Sequence, residues 1–413
     1  MFIAIIINGF RLVFLEVMRD VSLSSVLVLD ANQRSALSVT RSLGRAGISV
    51  VCGDVSESAL AGASKYCLVY EQYSDPENTD LFINNINDLI ALHEIKVLYP
   101  VAEITVYTLL ENAERLDAVI LPFSTIQTIK RLSDKGSLVK LCNTLGVNVP
   151  ASDSFENALD LRAANKAYAY PVVLKPMLSR IKTSNGWIKT AVTYAHSERE
   201  LLEIASCTVY FSDYPFMVQE YISGYGSGVF LLFSHGEYLT HFAHRRLREK
   251  PPSGGVSVLC ESIEANASQL ETAKRLLKSV AWHGVAMVEF KIDNQGEAYV
   301  IEVNPRFWGS LQLAIDSGVD FPYLLHQVST GQEIDKVKQY DKGVQLRWFL
   351  GDLDRLYLVL KEMSLREFLK EAGRFLFAWK WRRKFEVERI SDFCPSLFEI
   401  KTYIRQLLKL NSP

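Results

Sequence analysis

The stretch that decides the fold is GVAMVEFKIDNQGEAYVIEVNPRFWG, residues 284–309. Two runs rich in strand-forming residues flank Asp-Asn-Gln-Gly at 293–296, a sequence typical of a tight turn. If Gln295 and Gly296 form a two-residue loop, Glu289 lies directly opposite Glu302. The stretch therefore predicts a β-hairpin that carries two facing carboxylates.

Two facing carboxylates repel each other and destabilise a strand pair. Asn304 lies two residues beyond Glu302, so its side chain points to the same side of the strand. Two carboxylates and an amide oxygen suit a Mg²⁺ that also holds substrate phosphates, and the cation removes the repulsion. We therefore predict a metal site at Glu289, Glu302 and Asn304. The alternative is a surface hairpin with solvated acids, because a one-residue change of register separates the pair.

Length and composition indicate a globular protein of two or three domains. The chain has 413 residues, of which 48% are hydrophobic and 22% charged, as in folded proteins. The net charge of −2 provides no general attraction to nucleic acid, so we expect no nucleic-acid partner. The six cysteines are scattered without a C-x-x-C pair, which favours reduced thiols in a cytoplasmic protein over disulfides or structural zinc.

The N-terminal residues 1–17 are apolar, but Arg11 and Glu16 interrupt them. The uninterrupted apolar run is too short to span a bilayer. No basic region precedes it and no small-residue cleavage site follows it, so we expect no signal peptide. We interpret residues 1–23 as a peripheral extension.

A strand-helix-strand pattern follows this extension. Residues 25–30 form a buried-strand run, residues 34–46 have helical periodicity up to Gly47, and residues 48–52 form a second strand run. The first turn, residues 30–34, lacks the glycines that a dinucleotide pyrophosphate requires. The pattern predicts a Rossmann-like domain that holds no NAD.

Polar residues at strand ends of this domain are candidates for a substrate site. Ligands bind at the carboxyl ends of strands in open α/β sheets. Asn32 and Arg34 follow the first strand, and Glu103 follows a strand that ends at Tyr99. Ordinary loop polarity is the alternative explanation for each of them.

Cationic residues precede the acidic hairpin at several places. Lys135 opens a predicted helix after Asp134, and Lys175 lies inside the apolar run YPVVLKP, where a buried lysine needs an anionic partner. A solvated side chain is the alternative for both lysines. The polar loop at 177–190 can close over phosphates, although it contains a single glycine.

The stretch HRRLREKPPSGG, residues 244–255, contains Arg245, Arg246 and Arg248. Guanidinium groups suit carboxylates and phosphates, so we expect an anion site here, with a solvated basic turn as the alternative. Residues 374–384 also mix basic and aromatic side chains. We interpret them as a packed helix with a basic edge, and we expect no membrane association.

In this order, the motifs resemble those of the ATP-grasp superfamily over residues 25–331. The matching motifs are Asp134 and Lys135, VVLKP at 172–176, QEYI at 219–222, EF at 289–290 and EVNPR at 302–306. HRRLREKPPSGG further resembles a subgroup of predicted carboxylate-amine ligases that has carbamoyl-phosphate-synthase-like and D-aspartate-ligase-like relatives.

The resemblance implies an α/β and α+β architecture. After the extension at 1–23, it implies a Rossmann-like pre-ATP-grasp domain over 24–133 and a two-subdomain ATP-grasp domain over 134–331. A helical or mixed C-terminal extension would cover 332–413.

The resemblance also implies roles for single residues. Lys135 and Lys175 would contact the ATP phosphates, Gln219, Glu220, Tyr221 and Ile222 would hold adenine, and Glu289, Glu302 and Asn304 would bind Mg²⁺, with Mn²⁺ as the alternative ion. Arg306 would steady the transferred phosphate or acyl phosphate, and Arg306, Arg246 and Lys175 are the candidate catalytic residues. Many relatives have a ribose-binding acid where this chain has Gly226 and Ser227, so ribose recognition departs from the pattern.

The implied activity is an ATP- and Mg²⁺-dependent ligase that forms a C–N bond. A carboxylate attacks the γ-phosphate, and an amine then displaces phosphate from the acyl phosphate. Small-molecule carboxylates and amines are the implied partners, and a homodimer is left open. Two alternatives also stay open: bicarbonate in carbamoyl-type chemistry, and a nucleotide-binding module without catalysis.

Overall fold

The computed structural model describes residues 25–183, 186–252, 255–334, 337, 339–362, 364–377 and 381–410. The interpretation of residues 1–23 as an extension falls outside this part of the chain. Four sheets organise the described residues. None of the helices described combines the length and the apolar character that a membrane span requires.

The first sheet is parallel and has the strand order β3-β2-β1-β4. Its strands are β1 (Ser25–Val28), β2 (Val50–Asp54), β3 (Val69–Gln72) and β4 (Ile95–Tyr99), and its helices are α1 (Arg34–Arg45), α2 (Thr79–Leu92) and α3 (Glu103–Glu111). Val26 and Val28 pack in the same core cluster as α1, whereas Leu27 packs in the cluster that contains α2. Helices therefore cover both faces, which explains the continuous apolar strand, and the predicted Rossmann-like arrangement is confirmed.

Two helices, α4 (Ile126–Ser133) and α5 (Lys135–Thr144), lead into an antiparallel sheet of order β5-β10-β6-β9. Its strands are β5 (Ser152–Phe155), β6 (Val172–Pro176), β9 (Thr193–Ala195) and β10 (Phe216–Glu220), and its helices are α6 (Ala158–Ala164), α7 (Glu198–Cys207) and α8 (Val209–Ser212). Val172 and Leu174 pack against the helices. Because side chains alternate along a strand, Lys175 points to the opposite face.

The predicted polar loop at 177–190 contains a two-stranded ribbon, β7 (Arg180–Thr183) and β8 (Gly186–Lys189). Arg180 Nη1 lies 3.4 Å from Glu77 Oε1 at the start of α2. The ribbon therefore reaches from the second sheet to the first domain.

The third sheet has seven strands in the order β15-β14-β11-β12-β13-β16-β17. They are β11 (Gly224–Ser234), β12 (Glu237–Lys250), β13 (Val256–Ser262), β14 (Gly284–Asp293), β15 (Ala298–Asn304), β16 (Gln345–Arg347) and β17 (Arg383–Phe385). Its helices are α9 (Ala267–Lys278), α10 (Leu311–Asp316), α11 (Phe321–Ser329), α12 (Phe349–Glu362), α13 (Leu365–Phe377) and α14 (Cys394–Leu410).

Two further stretches belong to long strands. The glycine-rich residues 224–228 are the first part of β11 and pair with β14, and the arginine cluster lies within β12. Consecutive strand residues point to opposite faces, so the three arginines do not share one side. The C-terminal region is mixed, because β16 and β17 extend the third sheet. The proposed domain boundaries remain predictions.

Candidate active site

The hairpin β14–β15 places Glu289 directly opposite Glu302, as predicted, but for a different reason. The loop has three residues, not two, since the Asp293 amide donates to the Glu297 carbonyl at 3.0 Å and Gly296 has a φ of 91°. This loop alone would pair Glu289 with Ile301. A β-bulge between the Glu289 and Phe290 pairs leaves Ile301 as an extra residue and restores the facing acids.

The donor atoms around this pair suit a hard divalent cation. Asn304 Nδ2 donates to Glu302 Oε1 at 2.8 Å, which leaves the Asn304 amide oxygen available for a metal. Arg246 Nη2 donates to Glu289 Oε1 at 2.6 Å. Among the described residues, no group of three His, Cys, Asp or Glu side chains suits a metal ion. The two glutamates and the asparagine amide fit a Mg²⁺ that arrives with its own phosphate ligands.

The two glutamates differ in their electrostatic surroundings. Burial and the neighbouring charge of Glu302 raise the pKa of Glu289 to about 7, although Arg246 opposes this shift. Burial acts on Glu302 too, but Lys135 and the Asn304 amide outweigh it and lower the pKa of Glu302. At neutral pH Glu289 is therefore partly protonated, so the pair carries less than two full negative charges. A bound cation would favour the ionised form of both glutamates.

Lys135 and Lys175 are both buried beside this acidic pair, with exposures of 9% and 7%. Lys135 begins α5 directly after Asp134, whose carboxylate accepts from the Ser137 amide at 2.7 Å. Burial lowers the pKa of Lys175 to about 8, Glu302 opposes this shift, and Lys135 adds to it. Two lysines so close together need an anion, and the structure brings the predicted cations to the predicted acids.

The segment predicted to hold adenine lies at the end of β10. Gln219 is 3% exposed, shares the cleft face of Lys175, and donates to Ser152 Oγ at 2.9 Å. The Glu220 amide donates to the Ala151 carbonyl at 2.8 Å, while the Tyr221 ring is 40% exposed. The segment thus provides strand backbone groups and the exposed ring of Tyr221.

The three arginines of β12 are engaged separately, which corrects the prediction of one anion site. Arg246 faces Glu289 and also donates to Glu249 at 2.9 Å. Arg245 pairs with Glu261 at 2.6 Å, and Arg248 pairs with Asp352 at 2.5 Å. Only Arg246 of these three pairs with a predicted metal ligand.

The positions discussed for ribose recognition offer no acid. Gly226 is a strand residue of β11, and Ser227 is 8% exposed with its hydroxyl donating to Gln269 Oε1 of α9 at 3.0 Å. Ser227 therefore points away from the cleft face. Neither position provides the acid that binds ribose in many ATP-grasp proteins, as the sequence indicated.

A partly open cleft lies next to the acidic hairpin. Glu302, Asn304 and Arg306 line it together with Glu103, Tyr107, Ser133, Lys135 and Ser179. Arg306 donates to the Phe307 carbonyl at 3.0 Å and forms no ion pair with an acid in the described part of the chain. Its guanidinium therefore remains free for a ligand in the cleft.

The sequence identified Glu103 at this cleft but missed its neighbours. Tyr107 lies four residues after Glu103 on α3, so the helical period could have indicated a shared face. The sequence around Ser133 and Ser179 contains no pattern that predicts their position at the cleft. Arg34 pairs with Glu386, and Asn32 donates to Asp54 at 3.0 Å, so the other two candidates from the first domain have structural partners.

The chain is similar in sequence to several known proteins. The family described as "ATP-grasp in the biosynthetic pathway with Ter operon" matches residues 212–351. The carbamoyl phosphate synthase large chain of Methanobrevibacter smithii is 22% identical over 284 residues, which cover 64% of this chain and 25% of that protein. The chain spans about a quarter of the length of the curated relatives it matches.

Solved structures share the fold. A biotin carboxylase from Campylobacter jejuni in complex with β-γ-ATP has a TM-score of 0.62 and 18% identity, covering 78% of this chain and 74% of that one. An L-amino acid ligase from Bacillus licheniformis has a TM-score of 0.58 and 17% identity, covering 74% of each chain. These likenesses show the fold, and the match over residues 212–351 relates that part of the chain to the ATP-grasp family.

Proposed function

We propose that this protein is an ATP- and Mg²⁺-dependent ligase that activates a carboxylate as an acyl phosphate for attack by an amine. One observation supports the proposal: two acids and two buried lysines lie close together. Glu289 and Glu302 come from the third sheet, whereas Lys135 begins α5 and Lys175 lies on β6 of the second sheet. Two acids suit the metal, and two lysines suit the polyphosphate. The cleft beside them is open to solvent and is lined by polar side chains that can contact a small acid.

We assign roles from this arrangement. Lys135 and Lys175 neutralise phosphate oxygens, and Gln219, Glu220, Tyr221 and Ile222 form the adenine edge. Glu289, Glu302 and Asn304 hold Mg²⁺, which when bound stabilises negative charge on the transferring phosphate.

Arg306 has no acidic partner in the described residues and lines the cleft. It therefore orients the attacking carboxylate and holds the acyl phosphate. Arg246 sets the position of Glu289 through its 2.6 Å contact.

Bicarbonate-dependent chemistry is the second candidate, because a carbamoyl phosphate synthase gives a sequence match and a biotin carboxylase gives a structural match. Both reactions would use the same phosphate and metal groups. The two candidates differ in the acceptor of the γ-phosphate: an organic carboxylate in the first, bicarbonate in the second. The free Arg306 suits either anion, so the acid substrate must be identified by assay.

The test is ADP release from Mg-ATP across a panel of organic acids and amines, with bicarbonate as a separate arm. We expect release that requires both an acid and an amine, and we expect Glu302→Gln to lower kcat/KM on the order of 100-fold or more. Glu297→Gln is the matched control, because Glu297 is an exposed acid of the same hairpin. Release with bicarbonate alone would favour the second candidate. Unchanged turnover in Glu302→Gln would contradict the metal assignment.

A further inference from the structure

We infer that the cleft takes an amino acid as its carboxylate substrate and that Glu103 binds the ammonium group of that substrate. The inference deepens the proposed function and rests on it. It names the class of acid that is activated. It follows from the polar groups that α3 and α4 bring to the cleft, which the phosphate and metal chemistry does not use.

The lining contributed by α3 and α4 is acidic and hydroxylic. Glu103 and Tyr107 are four residues apart on α3, so their side chains share one face of the helix. Ser133 at the end of α4 completes this side of the lining. The remaining polar lining consists of the hydroxyl of Ser179, the cations Lys135 and Arg306, and the proposed metal ligands. The lining therefore has an acidic part from α3 and α4 and a cationic part that includes Lys135 and Arg306.

The acidic side lacks partners within the described residues. Glu103 forms no hydrogen bond or ion pair there that would satisfy its carboxylate. The hydroxyls of Tyr107 and Ser133 are shielded from solvent and neighbour each other. Neither hydroxyl bonds to any other described residue, so each keeps hydrogen-bonding capacity for a ligand. Unsatisfied acceptors beside a carboxylate favour a ligand that is rich in N–H donors and positively charged.

The electrostatic field on this side also favours a cation. Burial raises the pKa of Tyr107 to about 12, and the charges of Glu103, Asp134 and Glu111 add to the shift. Lys130 pairs with Glu111 at 2.6 Å, and Asp134 caps α5. Glu103 thus remains the carboxylate with free acceptor atoms at the cleft.

A ligand that satisfies both sides has a carboxylate near Arg306 and an ammonium near Glu103. In the reaction, a carboxylate oxygen forms a bond to the γ-phosphorus, and the bond to the bridging oxygen breaks, with its electron pair left on ADP. The ammonium keeps its proton while Glu103 holds it. It therefore has no lone pair with which to attack the acyl phosphate, and a separate amine must be the nucleophile.

The same residue could instead receive the incoming amine, and the substrates separate these two roles. Hydroxylamine replaces the acceptor and traps an acyl phosphate as a hydroxamate. With Mg-ATP and hydroxylamine, we expect hydroxamates from amino acids and none from the matched acids that lack the amino group. Glu103→Gln should raise the KM for the amino acid roughly 10- to 100-fold, as expected for loss of a charge-assisted hydrogen bond.

Glu114→Gln is the control, because Glu114 is an exposed acid shortly after α3, and it should leave the KM unchanged. Equal activation of acids without an amino group, or equal impairment of all acids by Glu103→Gln, would overturn the inference. If no acid is activated, equilibrium dialysis of amino acids with the protein and Mg-ADP decides the matter. Binding that Glu103→Gln abolishes would support the ammonium site while contradicting the ligase, and absence of binding would overturn both.

Discussion

Glu289 and Glu302 face each other across β14 and β15, and folding affects the two carboxyls in opposite directions. Burial and the Glu302 charge raise the pKa of Glu289 to about 7. Burial also opposes ionisation of Glu302, yet the charge of Lys135, the Asn304 hydrogen bond and the charges of Lys175 and Arg246 together outweigh burial and lower the pKa of Glu302. The same strand pair therefore holds one acid that resists ionisation and one that favours it.

The first prediction concerns stability without ligand. An acid whose pKa is raised on folding destabilises the native state once it ionises, and this cost grows as the pH rises from the unfolded pKa through the folded one. At about pH 8, Glu289→Gln should raise the free energy of unfolding on the order of 1–3 kcal/mol, with a much smaller gain at about pH 5. Urea denaturation without Mg²⁺ or nucleotide measures both values.

Glu302→Gln provides the contrast. A lowered pKa stabilises the fold above the unfolded pKa, and this contribution is lost only as the pH falls through the folded value. This substitution should therefore lower the free energy of unfolding at about pH 8, opposite in sign to Glu289→Gln. Loss of stability in Glu289→Gln at both pH values would contradict this account of the pair.

The second prediction concerns the proton on Lys175. Burial lowers the pKa of this lysine to about 8, and polyphosphate oxygens would favour its charged form and raise the pKa again. Binding of a non-hydrolysable Mg-ATP analogue at about pH 8.5 should therefore take up a fraction of a proton. Calorimetric titration in two buffers of different ionisation enthalpy measures this uptake.

Lys175→Met should abolish the proton uptake and weaken binding, whereas Lys140→Met should retain both. Lys140 is the suitable comparison because it is an exposed lysine on α5, the helix that Lys135 begins. Equal binding heats in the two buffers for the unmodified protein would show that Lys175 does not meet the phosphates in the proposed way.

The acidic hairpin illustrates what the sequence could and could not predict. Strand composition and the turn residues predicted two facing glutamates, and the pairing is confirmed. The loop length was wrong by one residue, and the bulge at Ile301 offset that error. A bulge depends on the hydrogen bonds that the neighbouring strand can form, so the residues around Ile301 do not predict it.

The prediction that the three arginines form one anion site was wrong for a reason that can be traced to the strand. The prediction treated the three arginines of 244–255 as one anion-binding cluster, although residues 244–250 all belong to β12. Once these residues form a strand, a period of two separates Arg245 from Arg246 without further information. Lys175 was easier to place, because a lysine inside an apolar strand requires an anionic partner, whereas Lys135 was assigned only through the resemblance to the ATP-grasp superfamily. The approach of α3 to β15 is a tertiary contact with no sequence pattern of its own.

The third prediction tests the strand assignment of the glycine-rich stretch. A Cβ at position 224 would lie 1.8 Å from the Ile292 carbonyl oxygen, and Gly224 has a φ of 154°. Gly224→Ala should lower the free energy of unfolding by about 1–3 kcal/mol. Gly226→Ala is the control, because a Cβ there meets nothing within 4 Å, and its effect should stay within about 0.5 kcal/mol. Denaturant titration of both variants provides the comparison, and a neutral Gly224→Ala would contradict the pairing of β11 with β14.

The fourth prediction concerns how the C-terminal region is held. Arg41 on α1 is 3% exposed and donates from Nε to Asp392 Oδ2 at 2.7 Å, and Asp392 also accepts from Ser64 Oγ at 2.7 Å. Asp392→Asn would leave the buried guanidinium without its charged partner, which costs about 3–5 kcal/mol. The exposed pair of Arg115 and Asp80 is the control, and Asp80→Asn should change stability by less than about 1 kcal/mol.

Denaturation followed by fluorescence and by far-UV circular dichroism measures both changes. Trp348 adjoins β16 and donates from its indole to Glu399 of α14 at 2.9 Å. It is one of six tryptophans, so the fluorescence change that is lost in a Trp348→Phe background reports on the C-terminal docking. If Asp392 joins the C-terminal region to the first domain, Asp392→Asn should lower the unfolding midpoint detected by both probes. If fluorescence alone shifts, the C-terminal region unfolds separately and the pair does not stabilise the first domain. The latter result would restrict the role of this ion pair to local docking, since the energetic coupling between the two parts would then be absent.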